Sequence, residues 1–262
     1  MTKKSAFAGA ALALVASAFG FGVATLPEEA QAEVSLSELS DEDRALLRDE
    51  MRAYLLEEPE VIMEAVSILQ SREEQAQVGN DAALVRTNAD ALFNDGWSLE
   101  SGNPDGDVTV VEFMDYRCGY CRKAFPEVKA LLEQDGNVRL IVKEFPVLGA
   151  ESVYAARFAL ALQEIAGNGP YEAFHDAVMA MRGNVTPASL KAIATDLDLD
   201  VAAIEAGLES DQVNRILSEN AALAQRMQIN GTPGFIMGEQ IVRGYVPLDT
   251  MADIVAQERA EG

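Results

Sequence analysis

The sequence holds little of what metal-ligated or disulfide-stapled proteins are built from. Two cysteines and one histidine in 262 residues are too few for a conventional structural zinc site unless carboxylates or a second chain contribute. A disulfide-dense scaffold is excluded for the same reason. Positive charge is scarce as well: 20 lysines and arginines stand against 43 aspartates and glutamates, for a net charge of −23. Electrostatic attachment to nucleic acid or to an anionic membrane surface is therefore a poor first reading, which leaves proteins and small solutes as partners. Aromatics are few, yet 49% of the residues are hydrophobic. Without a long low-complexity tract, that composition is one of a folded globular chain, as one large domain or two small ones.

Lys3 and Lys4 precede a small, apolar run from Ala6 to about Leu26, the make-up of a secretory h-region. Pro27 ends the run, and Ala30-Gln31-Ala32 offers the small-x-small pattern a signal peptidase needs; Gly22-Val23-Ala24 is a second possible site. Residues 1–32 are thus expected to be a cleaved signal peptide, with an uncleaved membrane anchor as the alternative. No cysteine lies near the cleavage region, so lipoprotein anchoring is not expected. Removal takes two lysines and two glutamates and leaves the charge unchanged. The mature protein is expected outside the cytoplasm, where disulfides form and persist.

Residues 33–77 carry helical patterning. Ser40 before Asp41, Glu42 and Asp43 is a helix start, with a capping hydroxyl and acidic residues at the positive end of the dipole. Leu47, Met51 and Tyr54/Leu55 recur at four-three spacing, and after Pro59 so do Ile62, Val66 and Leu69. Two short amphipathic helices with a bend between them are expected. Val61, Ala65 and Ile68 widen the second stripe beyond what one short helix hides alone, so it should meet either the main domain or another subunit. Ser71 to Asp81 reads as a linker or an exposed helix extension, and 78–95 as a linker helix leading into Gly96-Trp97.

Residues 96–262 change character. Val108 to Phe113 reads as a buried strand behind the turn-rich Gly102-Asn103-Pro104-Asp105-Gly106. A helix from about Cys118 to Leu132 and a second strand, Val138 to Phe145, make a βαβ unit with parallel strands. Helical patterns then run through an insertion at about 146–228. A hairpin over Gly234–Val242 and a helix opened by Pro247 close the chain, giving one α/β domain with a helical insertion.

Both cysteines sit in Cys118-Gly119-Tyr120-Cys121. Three residues is nearly one helical turn, so the sulfurs face the same side and can close a disulfide. At a helix start the first thiol meets unpaired amides and the positive dipole end, which favours its thiolate. Cys118 is then the accessible, attacking sulfur, and Cys121, deeper in the turn, the resolving one. Three other readings stand beside this one: half of a zinc site, for which the distant His175 is a poor third ligand; a structural disulfide, whose tiny loop would constrain little; and sequestration of Cu(I) by the thiol pair.

The run Val111-Glu112-Phe113-Met114-Asp115-Tyr116-Arg117-Cys118-Gly119-Tyr120-Cys121-Arg122, with Pro126, the helical insertion and Gly231-Thr232-Pro233-Gly234-Phe235, resembles the thioredoxin-fold proteins of the DsbA family from about Ala91 onward. Arg52 to Ile62 is similar to the N-terminal extension of its ScsC-like branch, in which such segments oligomerise the catalytic domains. The resemblance implies a thioredoxin fold with a helical insertion, preceded by a helical extension, located in the periplasm. It implies no cofactor and no metal beyond the redox-active Cys118–Cys121 pair. Pro233 would be a cis proline facing that pair, with a trans proline in a plain loop as the alternative; Thr232, Pro233, Gly119 and Tyr120 would meet substrate. Glu112 would be the buried carboxylate exchanging the proton of Cys121, unless its side of the strand faces solvent. Lys143 on the neighbouring strand could pair with Glu112, but a solvated lysine is the expectation.

The Gly119-Tyr120 dipeptide departs from the Pro-His of the strongly oxidising members and removes an imidazole that would help hold a thiolate. A less extreme thiol acidity and a less oxidising potential are expected. With Thr232 before the proline, the pattern resembles the disulfide isomerases of the same compartment. The expected function is an oligomeric disulfide isomerase or reductase acting on exported cysteine-containing clients and reset by a membrane redox partner. The alternatives are a monomeric disulfide-donating oxidase and, from other classes, a copper-binding thiol protein or a structural module whose helices assemble a complex.

Overall fold

The computed structural model describes residues 39–261; the signal-peptide expectation at 1–32 and the first residues of the helical stretch lie outside the described residues. The chain divides into two compact units, one up to Met63 and one from Glu64 on.

In the first unit, α1 (Asp41–Glu57) starts as expected, the Ser40 hydroxyl accepting the Asp43 N–H at 3.1 Å. No residue of α1 is buried. Helix α2 begins after Pro59 and runs unbroken over Glu60–Thr87. The stretch Ser71–Asp81 is therefore helix, the extension of the two alternatives, and the linker helix expected at 78–95 is the last part of α2 followed by a separate short α3 (Ala89–Phe93). Glutamate, glutamine and alanine are strong helix formers, so the polar run marks a solvated helix face rather than a break. A mid-helix Gly79 costs only about 1 kcal/mol. The following turns are anchored: Val85 is buried, and Asp81 accepts two hydrogen bonds from Arg243, each 2.8 Å.

The second unit is built on a five-stranded sheet of order β1-β3-β2-β4-β5, with β1 at Leu99–Gly102, β2 at Val108–Met114, β3 at Val138–Glu144, β4 at Gly234–Met237 and β5 at Gln240–Arg243. The central pair β2/β3 is parallel, joined by α4 (Gly119–Asp135), and every other pairing is antiparallel. Gly136, at φ 70°, supplies the left-handed residue that ends α4. Helices α5 to α9, spanning Ala150–Arg226, stand between β3 and β4, and α10 (Leu248–Glu261) packs against α4.

Both faces of the central strands are covered, and strand alternation divides their side chains between two cores. Val108, Val110 and Met114 of β2 join Leu140 and Val142 of β3 in the core that holds α4 and the inserted helices. Val111, Phe113 and Ile141 face the other way, onto Val85, Leu92 and Leu223. Glu112 therefore shares the α4 face. Lys143, aligned with Phe113, belongs to the opposite one.

Candidate active site

Cys118 caps α4. Its backbone is extended (φ −72°, ψ 115°), and its Sγ accepts the Cys121 N–H at 3.3 Å. The turn before it is fixed by Asp115, a residue the sequence reading left without a role. The Asp115 carbonyl accepts the Cys118 N–H at 2.9 Å, while its carboxylate accepts the N–H groups of Arg117 (2.8 Å), Val147 (2.9 Å) and Leu148 (3.1 Å). An aspartate bonding its own backbone two residues on is a recognisable turn signal. The two bonds to the loop after β3 have no local signal.

Both cysteines are free thiols. Cys118 is the more open, yet only 6% exposed; Cys121 is fully buried. The Cys118 thiol donates to the Thr232 carbonyl at 3.1 Å, and the Thr232-Pro233 peptide is cis, as the resemblance implied. Hydrogen bonding from the Cys121 thiol is the largest effect on Cys118, and with the Thr232 side chain and the N–H groups of Cys121 and Tyr120 it outweighs burial and brings the pKa down to about 6. Cys121 moves the opposite way, far above an ordinary thiol, because of its bond to Cys118, its burial and the charge of Glu112.

Glu112 faces the core rather than solvent: it is 3% exposed and its Oε1 has no hydrogen-bond partner. Burial, reinforced by the neighbouring Cys118 charge, pushes its pKa up to about 8. It lines a cavity of about 20 Å³, room for a single water, bordered also by Ser101, Lys129, Glu172, His175 and Asp176. Lys143 is neither solvated nor paired with Glu112. It is fully buried on the opposite face, donating to Asp95 at 2.5 Å and to Ser98 at 3.2 Å.

His175 is buried, its Nδ1 3.2 Å from the Tyr116 hydroxyl and its ring edge-on to Tyr116, Phe125 and Tyr171. Burial lowers its pKa to about 4, so the imidazole is neutral. Among the described residues no three His, Cys, Asp or Glu side chains gather as metal ligands. Glu144 is a second buried acid, held by the Tyr171 hydroxyl at 2.8 Å and raised to about 8 by burial.

Around the mouth, Tyr120 is 64% exposed and stacks on Tyr245, whose hydroxyl donates to Glu127 at 2.8 Å. Lys123 Nζ lies 3.9 Å from the centre of the Tyr245 ring. Tyr245 was not foreseen, since it comes from the loop after β5, more than a hundred residues away. Thr232 and Pro233 line a depression of about 230 Å³ together with Asn230, Gly231 and Arg243.

Compared with known proteins, residues 109–256 match the DSBA-like thioredoxin domain, and residues 43–76 match the copper resistance protein ScsC N-terminal domain. A solved thioredoxin-like oxidoreductase from Silicibacter pomeroyi DSS-3 is 43% identical, covering 65% of this chain and 97% of its own, with a TM-score of 0.62. The catalytic domain of Proteus mirabilis ScsC is 27% identical over 68% of this chain and 98% of its own, also at a TM-score of 0.62. A curated relative, the Na(+)/H(+) antiporter NhaA 1 of Salinispora arenicola, is 29% identical over 154 residues, 59% of this chain. That match takes in 24% of the relative, so the chain spans about a quarter of the length of the first curated proteins it matches.

Proposed function

The chain belongs to the DSBA-like thioredoxin-domain family of thiol–disulfide oxidoreductases, and from that premise we propose that it is an exported, periplasmic disulfide isomerase or reductase. The observation that carries the thiol–disulfide chemistry is a thiol at the start of α4 facing the Thr232 carbonyl, with an acidity split from its partner three residues on: Cys118 is poised as a thiolate near pH 6 and Cys121 is held as a thiol.

The Cys118 thiolate attacks one sulfur of a client disulfide, forms a mixed disulfide and expels the other client sulfur as a thiolate. If that thiolate attacks a different client disulfide, and the client thiolate freed there attacks the mixed disulfide and expels Cys118 as a thiolate, pairing changes with no net redox. If Cys121 instead loses its proton and attacks the Cys118 sulfur, the client leaves with two more electrons and the enzyme is oxidised. Glu112 receives that proton. Burial still holds the Glu112 pKa up, but with Cys118 bound in the mixed disulfide the neighbouring charge that reinforced it is gone, and the carboxyl ionises more readily when it is needed as a base. Thr232 and Pro233 present backbone to an extended client, with Gly119 and Tyr120 flanking the sulfur. A membrane redox partner restores the dithiol, and no cofactor takes part.

Assembly supports the isomerase sense. Leu47, Met51 and Tyr54 of α1 and Ile62, Met63, Val66 and Leu69 of α2 are each at least 40% exposed, apolar side chains on each helix that a second copy of the chain could cover. Several active sites held together attack a scrambled client again before it escapes. The depressed Cys118 pKa favours a second reading, the disulfide-donating oxidase, because a stable thiolate makes the disulfide the better oxidant. Insulin reduction, followed for the full chain and for Cys118→Ala, tests the chemistry. Refolding of a scrambled multi-disulfide protein, compared with oxidation of the reduced one, separates isomerase from oxidase. Isomerase predicts the larger effect in the first assay; equal insulin reduction by Cys118→Ala removes the proposal.

A further inference from the structure

A groove of about 440 Å³ opens beside Cys118, between the first turns of α4 and the end of α6 (Asn168–Ala180), lined by Gly119, Phe125, Pro126, Met179 and Met181 with Arg122 and Lys123 at its rim. Its lining is apolar and adaptable, since methionine side chains repack around varied shapes. Its rim is basic in a chain of net charge −23.

The rim charges are also unspent. Most lysines and arginines from Glu64 on are within ion-pair reach of a carboxylate. Among the described residues the exceptions are Arg72, Arg182, Arg226 and the two that line this groove, Arg122 and Lys123. Arg122 donates to the Gly183 carbonyl at 2.9 Å, and Lys123 rests on the Tyr245 ring. These contacts position both cations without neutralising them. With carboxylates so abundant, leaving Arg122 and Lys123 without an ion pair beside the reactive sulfur gives the groove a positively charged edge.

Resting on the thiol–disulfide reading above, we propose that the groove selects client segments carrying an apolar side chain and a carboxylate within two or three residues of the reacting cysteine. An extended client advances about 3.3 Å per residue, and Gly119, next to Cys118 in the chain, already lines the groove. A client cysteine at Cys118 thus places its near neighbours over the floor, the apolar side chain on Met179, Met181 and Phe125 and the carboxylate against Arg122 and Lys123.

The test uses the reduced full-length protein and three disulfide peptides, identical except for glutamate, glutamine or lysine two residues from the cysteine, beside a leucine. Second-order exchange rates are measured at low and at high salt. The glutamate peptide should outpace the lysine peptide about tenfold at low salt, and the ratio should fall as salt rises. In Arg122→Gln/Lys123→Gln the ratio should drop toward one, and in Arg122→Glu/Lys123→Glu it should invert. Taking the ratio within each protein cancels any change in Cys118 acidity. A wild-type ratio near one, or a ratio that survives in both variants, overturns the inference. Failure of the wild type to exchange with the glutamine peptide, or with any small neutral disulfide, overturns the thiol–disulfide reading instead.

Discussion

Replacing Glu112 by glutamine should make the protein more stable at neutral pH and less competent as a catalyst. The folded carboxyl stays protonated until about pH 8, whereas an unfolded one ionises from about 4.5. Across that window the folded state binds one more proton than the unfolded state, so stability is lost as pH rises, by about 1.4 kcal/mol per pH unit. At pH 5 the loss is under about 1 kcal/mol; by pH 7.5 it reaches about 4 kcal/mol. Glutamine has the same shape and does not titrate. Any fixed penalty for its buried amide shifts the whole curve without changing its slope. Glu144 and His175 also titrate anomalously, but they do so in both proteins and cancel in the difference. Urea unfolding of the reduced wild type and of Glu112→Gln at pH 5, 6, 7 and 7.5 should show the difference growing in favour of the variant by about 3 kcal/mol over the series. The variant should also slow release of a mixed disulfide formed at Cys118. Parallel stability curves would show that Glu112 is ionised in the folded protein and would remove it as the proton acceptor for Cys121.

Thiolate absorbance should report a Cys118 midpoint near pH 6, rising toward the ordinary value of 9 in Cys121→Ala because the Cys121 thiol is the largest stabilising partner; an unmoved midpoint would place the cause elsewhere. Lys143→Met should cost about 3–5 kcal/mol by stranding the Asp95 charge, and Asp95→Leu in the same chain should recover most of it, while exchange with a small disulfide stays at the wild-type rate. A chain starting at Gln77 keeps the Asp81–Arg243 pair and should be monomeric by light scattering, having lost the refolding activity of the full protein but not its insulin reduction. A full-length protein that is itself monomeric would return the chain to the oxidase reading.

Most of the thioredoxin-like unit was legible because its signals are local. The β-branched run at Val108, the cysteine pair at the next helix start and the hairpin after Thr232-Pro233 each combine a period with a punctuating residue. Strand β1 was not legible: of Leu99–Gly102 only Leu99 is buried, and a four-residue edge strand with one apolar position carries no period to detect. The continuity of α2 was obscured by polarity, since a fully solvated helix and a polar linker share a composition.

The site was legible in its sulfurs and opaque in its charges. A sequence can put a glutamate and a lysine on adjacent buried strands, but whether they meet depends on register, and a shift of one residue reverses the face. Here Glu112 pairs across to Val142, and Lys143 pairs to Phe113, so the two charges emerge on opposite sides of one sheet. The lysine then needs a carboxylate on its own side and finds Asp95, nearly fifty residues upstream, in the turn that leads into β1, the strand paired with β3. On the side of Glu112 the lysine that shares its cavity, Lys129, is paired with Asp176, and burial without a partner for its Oε1, with Cys118 the nearby charge raising it further, is what moves the carboxyl into the range where it can exchange a proton with a thiol. Had the register brought Lys143 to Glu112, the pair would have held the carboxylate ionised and acidic, unable to carry a proton near neutral pH. The acidity of the relay is thus set less by the glutamate itself than by its burial and by the strand register that keeps Lys143 on the opposite face.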